Sequence, residues 1–589
     1  MLRRARVRSS APGVARAATA GLLGVALAAG SVVAARPSAS PAPSVAAVAG
    51  SPGATSLGDP FYPSLGNGGY DTLDLVLTVT WSRPDAAHPD GPASVEEALY
   101  AVATQDLSAF SLDIAPASVT VKDLAVDGQP AAHRVDAAAR KLLVTPATPI
   151  PAGTAFRVDV TADVVPGPVP RTGEDGTFVR PGEDEADVRT REGRGLIADG
   201  AGGVLLAAQP NGAHTLVPLN DTPGDKAATR ITLIAPPGML GIATGELQRL
   251  STAADGTVTT TWVSREPVAS HVLSLGIGEV VLRSVIGGDG VTYRSAIPTD
   301  VEPVADPVLQ QVPGIVDWLA EAIGTPYPFP TFGLLAYAGE PTRAILEGQS
   351  LVLLPASLLL PIGDRCRALG TIAHEAAHQW FGDRAGIGRW DEKWLSEGHA
   401  TYWQWRWMAA NGCLPAPVPA RAPSSGGAAS PDPSAAPDAD AAFLARVRRA
   451  YEAGAAIRAS LGAPSAIDDP ASAYTPAIYD QGALALEALR QEVGDATFGR
   501  IERRLLTRFA DEPMTTDGFI RVASRVAGRD LGPFLEAWLR GPVLPPMPGH
   551  PGWTSEAPPT APPAAPPSPA ASPIPGTSPV PVAVRPASG

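Results

Sequence analysis

Basic charge is scarce in this 589-residue sequence: 45 lysines and arginines stand against 59 acidic residues, a net charge of −14. No positive field is available to attract nucleic acid, and acidity of this size marks a soluble surface. Long apolar runs are missing beyond the first forty residues, so no later segment could cross a membrane. Cysteine is almost absent. Its two copies, Cys366 and Cys413, lie far from the N-terminus, which excludes a lipid-anchored N-terminal cysteine. In an exported chain such an isolated pair forms either one disulfide or two buried thiols. No internal repeat is visible, and histidine occurs only eight times, which makes its placement informative.

What is present divides the chain. The opening "MLRRARVRSSAPGVARAATAGLLGVALAAGSVVAARPSAS" has an arginine-rich start, an apolar run near Ala18 to Ala35, and small residues after it. That layout predicts an export signal over 1–37, cleaved between Gly30 and Ser40 or retained as a membrane anchor. A Pro/Ala/Ser linker over 38–54 is expected to be disordered. From 55 to 285, short runs rich in Val, Leu, Ile and Thr, such as "LDLVLTVTW", "RVDVTADVV" and "TVTTTWVS", alternate with Gly, Pro and Asp clusters. These predict an antiparallel β domain. From 286 to 550 the period becomes helical, apart from the strand-like "FGLLAYAG" and "SLVLLP". A low-complexity insert over 414–440 reads as a surface loop, and the Pro-rich tail over 551–589 reads as disordered.

Two histidines fall in "HEAAHQWFGD", inside a helical pattern running from Asp364, a candidate N-cap, to a stop at Gly382. Residues four apart stack on one helix face, so His374 and His378 can reach one metal ion, with Glu375 placed to take a proton from the attacking water. An amphipathic helix with two chance histidines would explain the same stretch. The next helix, "DEKWLSEGHATYWQWRWMAANG", decides between them, because Glu397 follows His378 after 18 intervening residues. Two helices packed antiparallel can then offer three ligands to one zinc ion and leave a fourth position open. His399, two residues on, points to another helix face and reads as a non-ligand.

The spacing, with "HQWFGD" and "WLSEGHATY", resembles the aminopeptidase N and leukotriene hydrolase family of zinc metallopeptidases. "GDPFYPSLGNGGYD", "AAQPNGAHTLVPLNDTPGDKA", "AILEGQSLVLLP", "YTPAIYDQGALALEALRQEVGDATF" and "DLGPFLEAWLRGPVLP" extend the likeness over roughly residues 55–550. The resemblance implies that His374, His378 and Glu397 hold Zn2+, one ion per chain, and that Glu375 is the general base. It implies that the Tyr479 hydroxyl stabilises the oxyanion and that Tyr474 is a second pocket tyrosine. Glu347 and Gln209 would bind the free α-amino group of a peptide. Departures are visible: the family's GxMEN motif reads Ala344-Ile345-Leu346-Glu347-Gly348, and the β-domain segment shows "HTLVPLND" without the usual Trp and Cys.

The expected fold is therefore multidomain α+β, an N-terminal antiparallel β domain followed by a thermolysin-like, mainly helical catalytic domain. The expected function is that of a secreted or cell-surface zinc aminopeptidase acting on peptides with a free N-terminus. It would have no nucleic-acid partner and no membrane contact beyond a possible N-terminal anchor. The alternatives are a thermolysin-type endopeptidase on the same scaffold and an inactive binding module. With Cys366 eight residues before His374 and Cys413 sixteen after Glu397, a disulfide is expected to clamp the ends of the two ligand helices.

Overall fold

The computed structural model describes residues 50–85, 91–167, 195–338, 344–361, 364–415, 438–468, 470–510 and 512–555. The export signal, the linker before residue 50, most of the low-complexity insert and the tail beyond 555 lie outside the described residues. Among the described residues, no helix is long and apolar enough to cross a membrane.

The N-terminal part is β-rich. Its largest sheet has eight strands, with Tyr70–Trp81 beside Ala93–Ala103 antiparallel on one side and Lys226–Ala235 parallel on the other. Strict alternation explains the layering: Leu75, Leu77, Val79 and Trp81 are buried on one face of their strand, as period-two patterning requires. Ordered structure begins earlier than the linker expected over 38–54 allows. Ser51 and Pro52 pair in parallel with Leu107 and Ala109, through backbone groups that leave no hydrophobic pattern to read. The quoted segments "GNGGYD" and "PLND" meet on a buried polar knot. Asn67 donates to Asp113 at 2.8 Å and takes Asn220 as a partner, while the Lys141 ammonium pairs with Asp113 and His214 with Asp221 at 2.7 Å. Every charge in that knot has an opposite or a hydrogen-bonding partner, which is the condition for burying it.

A four-stranded sheet forms the wall between this part and the helices. It runs Val280–Ile286, Thr292–Pro298, Thr331–Tyr337 and Val352–Pro355, the last three parallel. Residue 285 thus falls inside a hairpin of the wall. All seven residues of Thr331–Tyr337 are buried because both faces are covered. Phe332, Leu334, Ala336, Val352 and Leu354 join the helical core, whereas Leu335, Tyr337, Leu351 and Leu353 join the β core. The wall therefore belongs to both cores, and a side chain at its rim can face either.

Helix α1, Val312–Ile323, covers the wall and ends on the left-handed Gly324. Helix α2, Arg365–His378, starts where expected: the Asp364 side chain accepts from the backbone of Cys366 and Arg367, satisfying two orphan donors. Helix α3, Trp394–Ala410, packs along α2, and the disulfide Cys366–Cys413, with 5.1 Å between Cα atoms, joins the start of α2 to the residues just past α3. The insert ends at the Asp438 N-cap of α4, Ala439–Leu461. Helix α5, Tyr479–Val493, crosses α3 at Gly398 and Gly482, where a Cβ on either glycine would meet the other's Cα at 2.9 Å. No side chain fits there, so the two backbones touch. The tail does not leave the fold at 551: Trp553 stacks on His550 at 4.2 Å and lies against Tyr451, and Ser555 accepts from the Ala455 backbone.

Three expectations follow. Gly398→Ala should cost roughly 1–3 kcal/mol by overpacking and splay α3 from α5, read as a lower urea midpoint at unchanged slope. Replacing both cysteines with serine should cost at most about 4 kcal/mol, the chain-entropy value for a 47-residue separation. A thiol reagent should find no free thiol in the denatured, unreduced parent protein.

Candidate metal centre

Three elements bring five ionisable side chains to one point. Helix α2 contributes His374, Glu375 and His378. The first turn of α3 contributes Glu397, and a tight reversal at the rim of the wall contributes Glu347. Leu346 makes an isolated antiparallel bridge with Leu353, and Ser350 has φ of 59°, so the chain turns back within four residues. Glu347 stands in that reversal.

The donor geometry fits a metal ion. His374 Nε2 and His378 Nε2 are 3.1 Å apart, and Glu397 Oε2 lies 3.2 Å and 3.3 Å from them. Ligands about 2.0–2.1 Å from a tetrahedral zinc would stand roughly 3.3 Å from one another, so the triangle has the edges such an ion demands. The His378 Nδ1–H faces the Phe381 carbonyl at 3.2 Å, which leaves the Nε2 lone pair turned into the triangle. Three acceptor-bearing atoms so close are stabilised by positive charge among them, from a proton or from a metal ion.

The electrostatics agree. Burial would depress the His378 imidazole, yet Glu397, Glu347 and Glu375 push it up to about 10, whereas burial dominates at His374 and lowers it. The two neighbours differ because His378 lies among the carboxylates. Burial works against ionising Glu397 too, but Lys393 and the two imidazoles hold it well below the usual carboxylate range. Burial raises Glu375 to about 8, helped by Glu347 and Glu397. A resident dication would reverse the trend, freeing both imidazoles of protons and keeping Glu375 ionised.

Acidic and imidazole ligand atoms of Glu347, Glu375 and His378 lie within 4.8 Å of one another, so Glu347 borders the donor triangle directly. From the β-rich part, Gln209 donates its amide N–H to Glu347 Oε1, leaving its own carbonyl oxygen to accept. The Tyr479 ring, at the start of α5, stacks on His374 with centroids 6.0 Å apart. Burial, with the Glu397 carboxylate beside it, pushes its hydroxyl well above the usual phenol range, so it remains a donor at neutral pH. Tyr474 is placed differently: the Lys393 ammonium sits 4.6 Å over its ring. His399 lies away from the triangle, its ring stacked on Phe381 at 4.3 Å and its Nε2 3.4 Å from Glu502.

Two residues of the centre escaped the sequence reading. Gln379, next after His378, accepts from the Ser350 backbone at 2.7 Å, and its amide group lies 3.4–3.5 Å from the carbonyls of Glu347 and Gly348. It ties the Glu347 reversal to the end of α2. Lys393 places its ammonium 2.8 Å from Glu397 Oε1. The clue for Gln379 was its presence in "HQWFGD"; for Lys393 it was the four-residue spacing to Glu397.

Residues 308–538 match the Peptidase family M1 domain. The fold is similar to the M1 zinc metallopeptidase of Deinococcus radiodurans, with a TM-score of 0.65 and 25% identity, covering 84% of this chain and 98% of that one. A variant of that enzyme bound to a Tyr-Ser-Ala substrate aligns with a TM-score of 0.64 and 25% identity, over 84% and 99% of the two chains. In sequence, aminopeptidase N of Acetobacter pasteurianus is 25% identical over 197 residues, 32% of this chain and 55% of its own length. Endoplasmic reticulum aminopeptidase 1 of Homo sapiens is 28% identical over 200 residues, 33% and 21% of the two. The matched stretch spans 21% and 55% of these two curated relatives. With the donor triangle, the two-part fold and the matched domain in agreement, the chain is similar to the aminopeptidase N family of zinc metallopeptidases.

Proposed function

We propose that this protein is an exported zinc aminopeptidase that removes the N-terminal residue of peptides. One observation carries the exopeptidase reading: the Glu347–Gln209 pair borders the donor triangle within a few ångströms. An α-ammonium is separated from its own residue's carbonyl by a single Cα. A carboxylate this close to the metal ligands can therefore hold the ammonium of the residue whose carbonyl is attacked, and no earlier residue has room. The Tyr-Ser-Ala complex of the Deinococcus radiodurans relative supports a peptide substrate. The export signal expected over 1–37 supports action outside the cytoplasm.

In this reading His374, His378 and Glu397 hold the zinc. When bound, the ion polarises the scissile carbonyl and acidifies the attacking water. Glu375, buried beside the donors, takes the proton from that water and passes it to the leaving amine. Tyr479 donates its hydroxyl hydrogen bond to the oxygen on which negative charge grows, and it does so as a protonated phenol. Glu347 pairs with the substrate ammonium through a charge-assisted bond, and the free carbonyl of Gln209 accepts from the same group. Gln379 keeps Glu347 in register with α2. The altered Ala344–Gly348 motif retains the carboxylate, which is the one group the ammonium requires.

The metal assignment predicts about one zinc per chain, measured by elemental analysis, with chelation abolishing hydrolysis of aminoacyl amides and zinc restoring it. His378→Ala should lose the metal, whereas Glu375→Gln should keep it and lose nearly all turnover, because an amide cannot accept the proton. Tyr479→Phe should bind zinc normally while kcat falls by roughly 10²–10³, the effect of one lost oxyanion donor. Persistent turnover in Glu375→Gln, or a Tyr479→Phe loss below tenfold, contradicts these roles.

Amine recognition is tested separately. Glu347→Ala should lower kcat/KM on unblocked substrates at least about tenfold, and acetylating the substrate's amine should abolish cleavage by the parent enzyme. Equal turnover of free and acetylated peptides would instead identify a zinc endopeptidase built on this scaffold.

A further inference from the structure

Lys393 occupies a position that neither helix physics nor solvation favours. It stands at the N-cap of α3 without a capping hydrogen bond, where the helix dipole repels a cation. It precedes Glu397 by four residues, the poorer order for a helical ion pair. Its side chain is 1% exposed, and a lysine so buried must be paired. The pairing is specific: Nζ lies 2.8 Å from Glu397 Oε1, with the Tyr474 ring 4.6 Å and the Trp390 ring 5.5 Å away. Those two aromatic faces leave the ammonium little freedom to swing from the carboxylate.

The two oxygens of Glu397 are thereby divided. Oε1 belongs to the ammonium, and Oε2 alone faces His374 and His378, at 3.2 Å and 3.3 Å. A carboxylate beside a dication can ligate through one oxygen or both, and binding through both would fill a coordination position that a peptidase needs open. The positive charge of Lys393 also lies one carboxylate away from the metal, where it opposes the dication.

We propose that Lys393 is a positioning residue of the zinc centre: it restricts Glu397 to a single ligating oxygen and, by its charge, moderates the grip on the metal. The inference rests on the ligand assignment proposed above for His374, His378 and Glu397. It gives the ion pair a purpose that stability alone does not, since an apolar side chain of similar length would fill the same space between Trp390 and Tyr474.

The test compares metal binding in the full chain. Zinc affinity is measured by competition with a chromogenic chelator for the parent, Lys393→Met and Lys393→Gln, with His378→Ala as the control for the site itself. Methionine keeps the volume and removes the charge; glutamine keeps a hydrogen-bond donor and removes the charge. Both are expected to bind zinc at least tenfold tighter than the parent. The cobalt(II) form of Lys393→Met should show weaker visible absorption than the parent, as the coordination number rises when Oε1 is released to the metal, whereas Lys393→Gln, whose amide can still hold Oε1, reads the charge through affinity alone. Near-ultraviolet circular dichroism checks the fold of each variant, and if methionine is not accommodated the glutamine variant decides. Affinity unchanged or weakened in the folded variants, or a cobalt spectrum of folded Lys393→Met identical to the parent's, overturns the role of Lys393. Loss of zinc binding only in His378→Ala leaves the ligand assignment standing, whereas a parent that binds no zinc would remove that assignment first.

Discussion

Three carboxylates, Glu347, Glu375 and Glu397, share one buried space with two imidazoles, and no arrangement of hydrogen bonds among them alone can balance that charge. Positive charge has to enter the cluster. The protein supplies one fixed cation, Lys393, and in the proposed reading a dication and the ammonium of a substrate would supply the rest. Much of the surrounding architecture serves this requirement: the disulfide and the Asp364 cap steady α2, the glycine crossing seats α3 on α5, and Gln379 latches the Glu347 reversal. The wall sheet matters for the same reason. Because its two faces feed two cores, its rim is the place where Glu347 can meet α2 and Gln209 together.

The parts of the site legible from sequence are those where chemistry and secondary structure constrain the same letters. His374, His378 and Glu397 must lie on helices at fixed spacing to reach one ion, and the spacing is written in the chain. Asp364 was readable as a cap because its side chain acts on its own neighbours. The cysteines admitted two outcomes, since sequence fixes their number but not the approach of α2 and α3 that lets them bond. Lys393 was hidden because "DEK" reads as a solvated polar run, and lysine is seldom buried. Only the fold shows that this run turns inward at Trp390, held there by Asp59 accepting from its backbone N–H at 2.8 Å.

The β-rich part shows the same division. Its strands announce themselves by alternation, but their pairing does not: Lys226–Ala235 lies parallel to Tyr70–Trp81 across more than 140 residues of chain. The short parallel contact of Ser51 and Pro52 and the docking of Trp553 on Tyr451 depend on backbone groups and single aromatic rings, which leave no periodic trace. Composition therefore drew the edges of the ordered chain too tightly at both ends. A Pro/Ala/Ser-rich stretch cannot build a core, but it can lie against one.

Gln209 and Glu347 are where fold and chemistry join most closely. They are separated by 138 positions and meet only because the buried knot of Asn67, Asp113, Lys141 and Asn220 fixes the β-rich part and the wall sheet fixes the other. The glutamine's amide already satisfies one carboxylate oxygen, so Glu347 is oriented before any substrate arrives. In the proposed reading, such preorganisation would lower the entropic cost of capturing an ammonium. It also explains how the chain tolerates a substituted motif around Glu347: neighbouring side chains need only carry the backbone through its turn, while the orientation of the carboxylate comes from Gln209 and the position of its loop from Gln379.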